Sequence, residues 1–291
     1  MLLVAAMTVF FRTTGTMGGP EFFVRPSSHS LRAVRIPVIV AVIERPDGLA
    51  LIDAGWSRRT CAFPGDDPGL AHSLLLGLSV KPEDALASQL ISLGYTPSDV
   101  RHVVATHLHA DHVGGVVDFD RATVHVHDRE LDAMARGLRG GYSSAVRSLP
   151  RVTPYTLDGA PALGFPFSKD LFGDGSVLLL DGRGHTAGSV VVAVKLQDGW
   201  ALHAGDAAQY VGEYRADDGA PPSLYARAMS WNLSEQRRTY GLLRGAEASL
   251  DARVVVSHDP DLLNSLPTTK EAAWPCAWDR RKGGSKPKPT G

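Results

Sequence analysis

The hydrophobic positions change period along the chain. Residues 36–44, IPVIVAVIE, form an unbroken β-branched run, RPDG turns the chain, and LALIDAGW (49–56) returns. Such runs, bounded by Pro, Asp and Gly, predict two strands of a hairpin. MTVFFRT near the start predicts a strand ahead of them. In KPEDALASQLISLGY (81–95) the apolar residues recur at about 3.6, with Pro82 near the first turn and Gly94 at the end, which predicts a helix. VRHVVAT (100–106) and ATVHVHD (122–128) predict buried strands, and DRELDAMARGL starts a helix after the second. GSVLLLDGRG carries a strand, and GSVVVAVKLQDGWALHAGD is a hairpin turning at QDG. SEQRRTYGLLRGAEA predicts an amphipathic helix with Ser234 as its N-cap. ARVVVSHDPD is a last strand.

Strands and helices arrive mixed, with several hairpins. This order predicts an α+β fold: two β-sheets, each covered by helices on its outer face. Residues 1–275 read as a single domain. Residues 138–170, rich in Gly, Pro and Ser, read as an irregular insertion near the site. Residues 276–291 are basic and Gly/Pro-rich, and predict a disordered tail.

Composition narrows the class. The chain has 291 residues, 44% hydrophobic and 21% charged, with a net charge of −1. That suits a globular domain with a sizeable core and offers no basic field for nucleic acid. Cys61 and Cys276 lie far apart and outside any CxxC pattern, which argues against a disulfide framework and for a cytoplasmic protein. The apolar N-terminal run has no Lys or Arg before it and is too short to span a bilayer, so neither a signal peptide nor a membrane partner is expected.

The chemistry concentrates in ATHLHADHVGG (105–115). His107, His109, Asp111 and His112 fall within six positions, just after a buried strand and just before Gly114 and Gly115. Two residues apart on extended chain, His107 and His109 can turn to one side. Asp111 and His112 follow after a bend. One loop thus offers two pairs of ligands aimed at adjacent points. Imidazole and carboxylate without thiolate suit zinc, manganese, iron or cobalt. The loop cannot close two sites alone. Three more candidates stand at strand ends or turns: His185 in GRGHTAGS, Asp206 in LHAGDAA and His258 in VVVSHDPD. His125 and His127, alternating on a predicted strand, read as structural. His203 reads as packing or support.

The order HxHxDH, His, Gly-Asp and a late His resembles the metallo-β-lactamase superfamily, over roughly residues 7–262. The resemblance implies an αββα sandwich with metals at one edge between the sheets. It implies one divalent ion on His107, His109 and His185, a second on Asp111, His112 and His258, and Asp206 bridging them. It also implies a supporting role for Asp53 in LIDAGW. Zinc is the default metal.

Within the superfamily, VVVSHDPD, PVIVAVIERPDGLALIDAGW and SLGYTPSDVRHVVATHLHADHVGG look most like the N-acyl-homoserine lactonases, the quorum-quenching branch. The function so implied is opening of an acyl lactone by a water activated between two metals, with Asp111 carrying a proton to the leaving oxygen. The alternative is a glyoxalase II-like thioesterase or another ester or phosphoester hydrolase. That branch shares THxHxDHxGG but usually adds a C-terminal helical region, where this chain has only a short tail after His258. Lactonases often carry Tyr three residues after the bridging Asp. Here Gln209 holds that place and Tyr210 follows it, so Tyr210 is the candidate substrate contact. They often have Phe before the second-site Asp, and here it is Ala110. Phe22, Phe23, Trp56, Phe63, Tyr142, Phe165, Phe167 and Trp231 are candidates for an acyl groove. The N-terminal strand and the 138–170 segment are candidate faces for a homodimer.

Overall fold

The computed structural model describes residues 8–25, 28–64, 67, 73–74, 77–137, 142–143, 145–148, 151–216 and 222–276. Seven strands form one sheet: β1 (Thr8–Pro20), β2 (Ala33–Arg45), β3 (Gly48–Ile52), β4 (Val100–Val104), β5 (Thr123–His127), β6 (Val152–Tyr155) and β12 (Trp274–Pro275). Five form the other: β7 (Ser168–Asp170), β8 (Val177–Asp181), β9 (Val190–Leu196), β10 (Gly199–His203) and β11 (Arg253–Val255). The orders are β12-β1-β2-β3-β4-β5-β6 and β11-β10-β9-β8-β7. Strands joined by tight turns pair antiparallel, as β2 with β3 and β9 with β10. Those joined by longer crossovers, β3–β4, β4–β5 and β5–β6, pair parallel, as chain connectivity requires.

Alternation sets the layers. In β1 and β2 the residues Val9, Phe11, Ile39, Ala41 and Ile43 face the second sheet and meet Leu179, Val190, Val192 and Val194. Their neighbours Phe10, Val40 and Val42 face outward onto Leu86 and Leu90 of the helix Leu86–Ser92. On the far side Leu180, Val191, Ala193 and Leu202 pack against Tyr240, Leu243 and Ala246 of the long helix Leu233–Leu250. Period-two side chains on strands buried on both faces produce helix, sheet, sheet, helix. Each fully buried aliphatic side chain contributes roughly 1.5–3 kcal/mol to this arrangement.

Several expectations are corrected. The predicted helix 81–95 begins as a separate 3-10 turn, Pro82–Asp84, because the Asp84 carboxylate accepts the Lys81 N–H and Ala85 leaves helical geometry. The cap of the long helix is Asn232, whose Oδ1 accepts the N–H groups of Ser234 and Glu235. Within 138–170, residues 152–155 are the edge strand β6 and 168–170 are β7, so part of that segment is sheet. Cys276 is buried and bridges Leu196 in the manner of a strand, so it is no part of a loose tail. The predicted signal-free start at 1–7 and the tail at 277–291 lie outside the described residues. No described helix is long and apolar enough to cross a membrane.

Candidate metal centre

The strand predicted to reach Trp56 stops at Ile52, and the reason lies in the site. Asp53 takes φ +61°, a left-handed conformation that Asp tolerates better than most residues. There it accepts the Thr106 backbone N–H and the Thr106 hydroxyl, each at 2.8 Å, and the His112 Nδ1–H at 2.7 Å. The carbonyl of His112 returns the contact by accepting the Ala54 N–H at 2.7 Å. Gly115 is needed where the two turns cross, since a Cβ there would stand 2.3 Å from the Ala54 carbonyl oxygen. The Gly-Gly after the histidine loop is thus a close backbone approach.

The other candidates come from the second sheet. His185 follows β8, in a turn held by Ser189, whose hydroxyl oxygen accepts the Thr186 N–H, and by the Trp231 N–H donated to the His185 carbonyl. Asp206 follows β10 in the 3-10 turn Gly205–Ala207. His258 follows β11. All seven residues singled out as ligands are buried, Asp111 least so.

The structure brings the seven together. Asp206 Oδ1 lies 3.1 Å from His112 Nε2 and 3.0 Å from His258 Nε2, and its Oδ2 lies 3.4 Å from His185 Nε2. Asp111 Oδ2 is 3.5 and 3.4 Å from the same His112 and His258 nitrogens. His185 Nε2 is 3.1 Å from His109 Nδ1. Three groups have ligand atoms close enough to hold one ion each: His107, His109 and His185; Asp111, His112 and His258; and His107, His112 and Asp206.

The donor set fits metal ions. His112 Nδ1–H is committed to Asp53. His258 Nδ1–H is committed to the Pro37 carbonyl at 2.8 Å. His107 Nδ1–H faces Thr106 Oγ1 at 3.1 Å, whose own hydrogen goes to Asp53. Each imidazole therefore presents an Nε2 lone pair inward, the orienting scheme expected of ligating histidines. The Nε2 atoms of His107, His112 and His258 and the Oδ1 of Asp206 are buried with no hydrogen-bond partner. Buried polar atoms left so are costly, and bound cations would satisfy them.

The electrostatics agree. Burial, then the neighbouring imidazoles His112, His109 and His185, holds His107 well below its ordinary pKa. Burial pushes His185 down to about 3. Burial opposes ionisation of Asp206, but His258, His112 and His185 outweigh it and hold the carboxyl well below the usual range. His107 and His185 thus offer lone pairs, and Asp206 a carboxylate, at neutral pH. At His112 and His258 burial is outweighed by the carboxylates Asp111 and Asp206, which hold both imidazoles above their ordinary pKa, so a cation there would displace protons.

Sequence reasoning missed Glu130, in the helix Asp128–Ala135. Its buried carboxylate accepts the Leu108 N–H at 3.2 Å and the Gly188 N–H at 2.8 Å, tying the His107–His112 loop to the His185 turn. A signal existed: Glu130, Ala133 and Met134 share the buried face at helical spacing. Of the groove candidates, Tyr142 rests on His109 with ring centroids 5.3 Å apart. Trp56 and Phe165 are core, whereas Phe63, Phe167 and Trp231 are exposed. Tyr210 is buried, with Arg25 over its ring at 5.6 Å. The charges that act on it most are Arg25, Asp259, Glu213 and Asp261, none of them among the seven. His127 caps a helix by accepting the Arg129 N–H, and His125 faces His102 at 3.1 Å.

Residues 35–256 match the model of the metallo-beta-lactamase superfamily. A probable metallo-hydrolase of Mycobacterium tuberculosis is 35% identical over 239 residues, covering 77% of this chain and 74% of the relative. The N-acyl homoserine lactonase AttM of Agrobacterium fabrum is 28% identical, covering 78% of this chain and 83% of its own. Among solved structures, an N-acyl homoserine lactone hydrolase with N-hexanoyl-L-homoserine at its catalytic metal center superposes with a TM-score of 0.71 at 18% identity, over 89% of this chain and 95% of that one. That likeness carries the fold, including the two mixed sheets flanked by helices. The chain belongs to the metallo-beta-lactamase superfamily and is one of its metal-dependent hydrolases.

Proposed function

We propose that this hydrolase opens the lactone ring of N-acyl-homoserine lactones with two divalent metal ions, zinc being the first choice. His107, His109 and His185 would hold one ion, Asp111, His112 and His258 the other, and Asp206 would serve both. The observation that carries the reading is the convergence of the unpartnered, oriented Nε2 atoms of His112 and His258 on Asp206 Oδ1, with His185 Nε2 beside Oδ2. When bound, such ions polarise an ester carbonyl and bring the pKa of a water toward about 7.

The chain's own groups have separable tasks. Asp53, Thr106 and the Pro37 carbonyl fix the imidazole tautomers. Asp111 is the more exposed of the two cluster carboxylates, 13% against 3%, and it is the group we assign to carry a proton to the leaving alkoxide. The choice of an acyl lactone is supported by the similarity to AttM and to the lactonase AiiB of Agrobacterium fabrum, 29% identical over 260 residues.

The test is a paired one. Metals per chain are counted, and acid release is followed with a long-acyl homoserine lactone beside a glutathione thioester. Two metals with lactone opening, lost in Asp206→Ala and His109→Ala, support the proposal. Two metals with thioester turnover and no lactone opening keep the site and overturn the substrate. Fewer than one metal per chain, in protein purified without chelator, overturns the ligand set.

A further inference from the structure

Asp206 and His258 stand on neighbouring chains. β10 and β11 pair parallel, and the pairing outlasts the strands. The Ala204 N–H reaches the Val255 carbonyl at 2.7 Å, and the Ser257 N–H reaches the Gly205 carbonyl at 3.3 Å. Both bonds come before the two ligands. After them the chains part, Asp206 into the 3-10 turn Gly205–Ala207 and His258 toward the 3-10 turn Pro260–Ser265.

One side chain spans the gap that opens. Asp259 follows His258 and is 5% exposed. Its Oδ1 accepts the Asp261 N–H at 2.9 Å, and its Oδ2 accepts the Val211 N–H at 3.0 Å. The first bond caps the local turn. The second crosses to the segment that follows Asp206. Asp206 and His258 thus lie between two fastenings, backbone bonds on one side and the Asp259 carboxylate on the other. Hydrogen bonds to an ionised carboxylate are the stronger kind. Between the fastenings Asp206 Oδ1 is 3.0 Å from His258 Nε2. Arg25 adds an outer hold, 3.2 Å from Asp261 and over the Tyr210 ring. That pair is partly exposed and contributes little.

We propose that Asp259 is a positioning residue of the candidate centre: its bond to the Val211 N–H keeps Asp206 and His258 within reach of one ion. The proposal rests on the ligand set given above and not on the choice of substrate. The ion on Asp111, His112 and His258 depends on this bond. The ion on His107, His109 and His185 keeps its three imidazoles without it.

Two variants cut the same bond from opposite ends. Val211→Pro removes the donor. Val211 opens the helix Val211–Arg215, and Tyr210 before it is extended, at φ −127° and ψ 145°, so proline suits the position. Asp259→Ser removes the acceptor, while the serine hydroxyl still caps the Asp261 N–H. In stepwise zinc competition with a chelator, each variant should weaken one of the two ions about 10–100-fold and leave the other as in wild type. The weakened ion should be the one lost in His258→Ala, not the one lost in His185→Ala. The double variant should lose no more than either single one, since both remove one bond. A two-ion wild-type chain whose variants hold both ions as tightly overturns the role of Asp259 alone. So do equal weakening of both ions, which is the mark of general loosening, and losses that add in the double variant. A wild-type chain that binds fewer than two ions overturns the two-ion ligand set, and the role of Asp259 with it.

Discussion

Asp53 Oδ2 accepts the Nδ1–H of His112 at 2.7 Å, and both side chains are fully buried. The same carboxylate holds Thr106, the residue before His107. One strained residue at the end of β3 therefore aims two imidazoles. Asp53→Asn keeps the volume but weakens the orienting bond. Metal affinity should drop about 10–100-fold, measured by competition with a chelator of known affinity.

Removing metal should abolish turnover, and restoring it should recover activity. In Asp206→Asn the carboxylate proposed to serve both ions is gone, so kcat should fall at least a hundredfold and the second equivalent of metal should be lost first. Metal analysis after dialysis, beside single-turnover rates, checks both.

Glu130 is the only carboxylate that the described residues show bonded to both the Leu108 and the Gly188 N–H groups. Glu130→Ala leaves two buried donors unpaired, at roughly 1–3 kcal/mol each. The denaturation midpoint should fall accordingly, and an ion held as proposed by His107, His109 and His185 should exchange faster. Glu130→Gln retains one acceptor and should lose about half as much.

Gly115→Ala sets a methyl against the Ala54 carbonyl where no flexible side chain can yield. A loss of roughly 1–3 kcal/mol is expected. A thermal melt reads it, with reduced metal content as the companion sign.

His125 gives a pH dependence apart from the cluster. Burial, then His102, presses its pKa from the ordinary value near 6.5 to about 4. The folded state therefore holds it neutral where the unfolded chain would protonate it. Its contribution is present above pH 6.5 and is lost as pH falls from there to about 4. His125→Gln should flatten the stability profile in that window by on the order of 1–3 kcal/mol. Chemical denaturation at pH 7.5, 5.5 and 4.5 is the check.

Most of the layer order was legible because the strands are long, β-branched runs, and period two on both faces leaves few other solutions. The seven cluster residues were legible because each is polar at the end of an apolar strand. What escaped was of another kind. Glu130 sits on a helix whose sequence resembles an ordinary surface helix, and only tertiary placement turns it toward the Leu108 and Gly188 N–H groups. The cap at Asn232 rather than Ser234 was a two-residue choice between good capping residues. Asp53 ends β3 through a backbone conformation that its apolar neighbours do not foretell.

His107, His109, Asp111 and His112 follow β4 of the seven-stranded sheet, whereas His185, Asp206 and His258 follow β8, β10 and β11 of the other. Ions bound as proposed would rivet one half of the sandwich to the other at its open rim. Separating the sheets would then require releasing metal. Each tenfold rise in free metal above its dissociation constant would add about 1.4 kcal/mol to the work of unfolding, so the resistance of this protein to heat would track the metal supply of its surroundings.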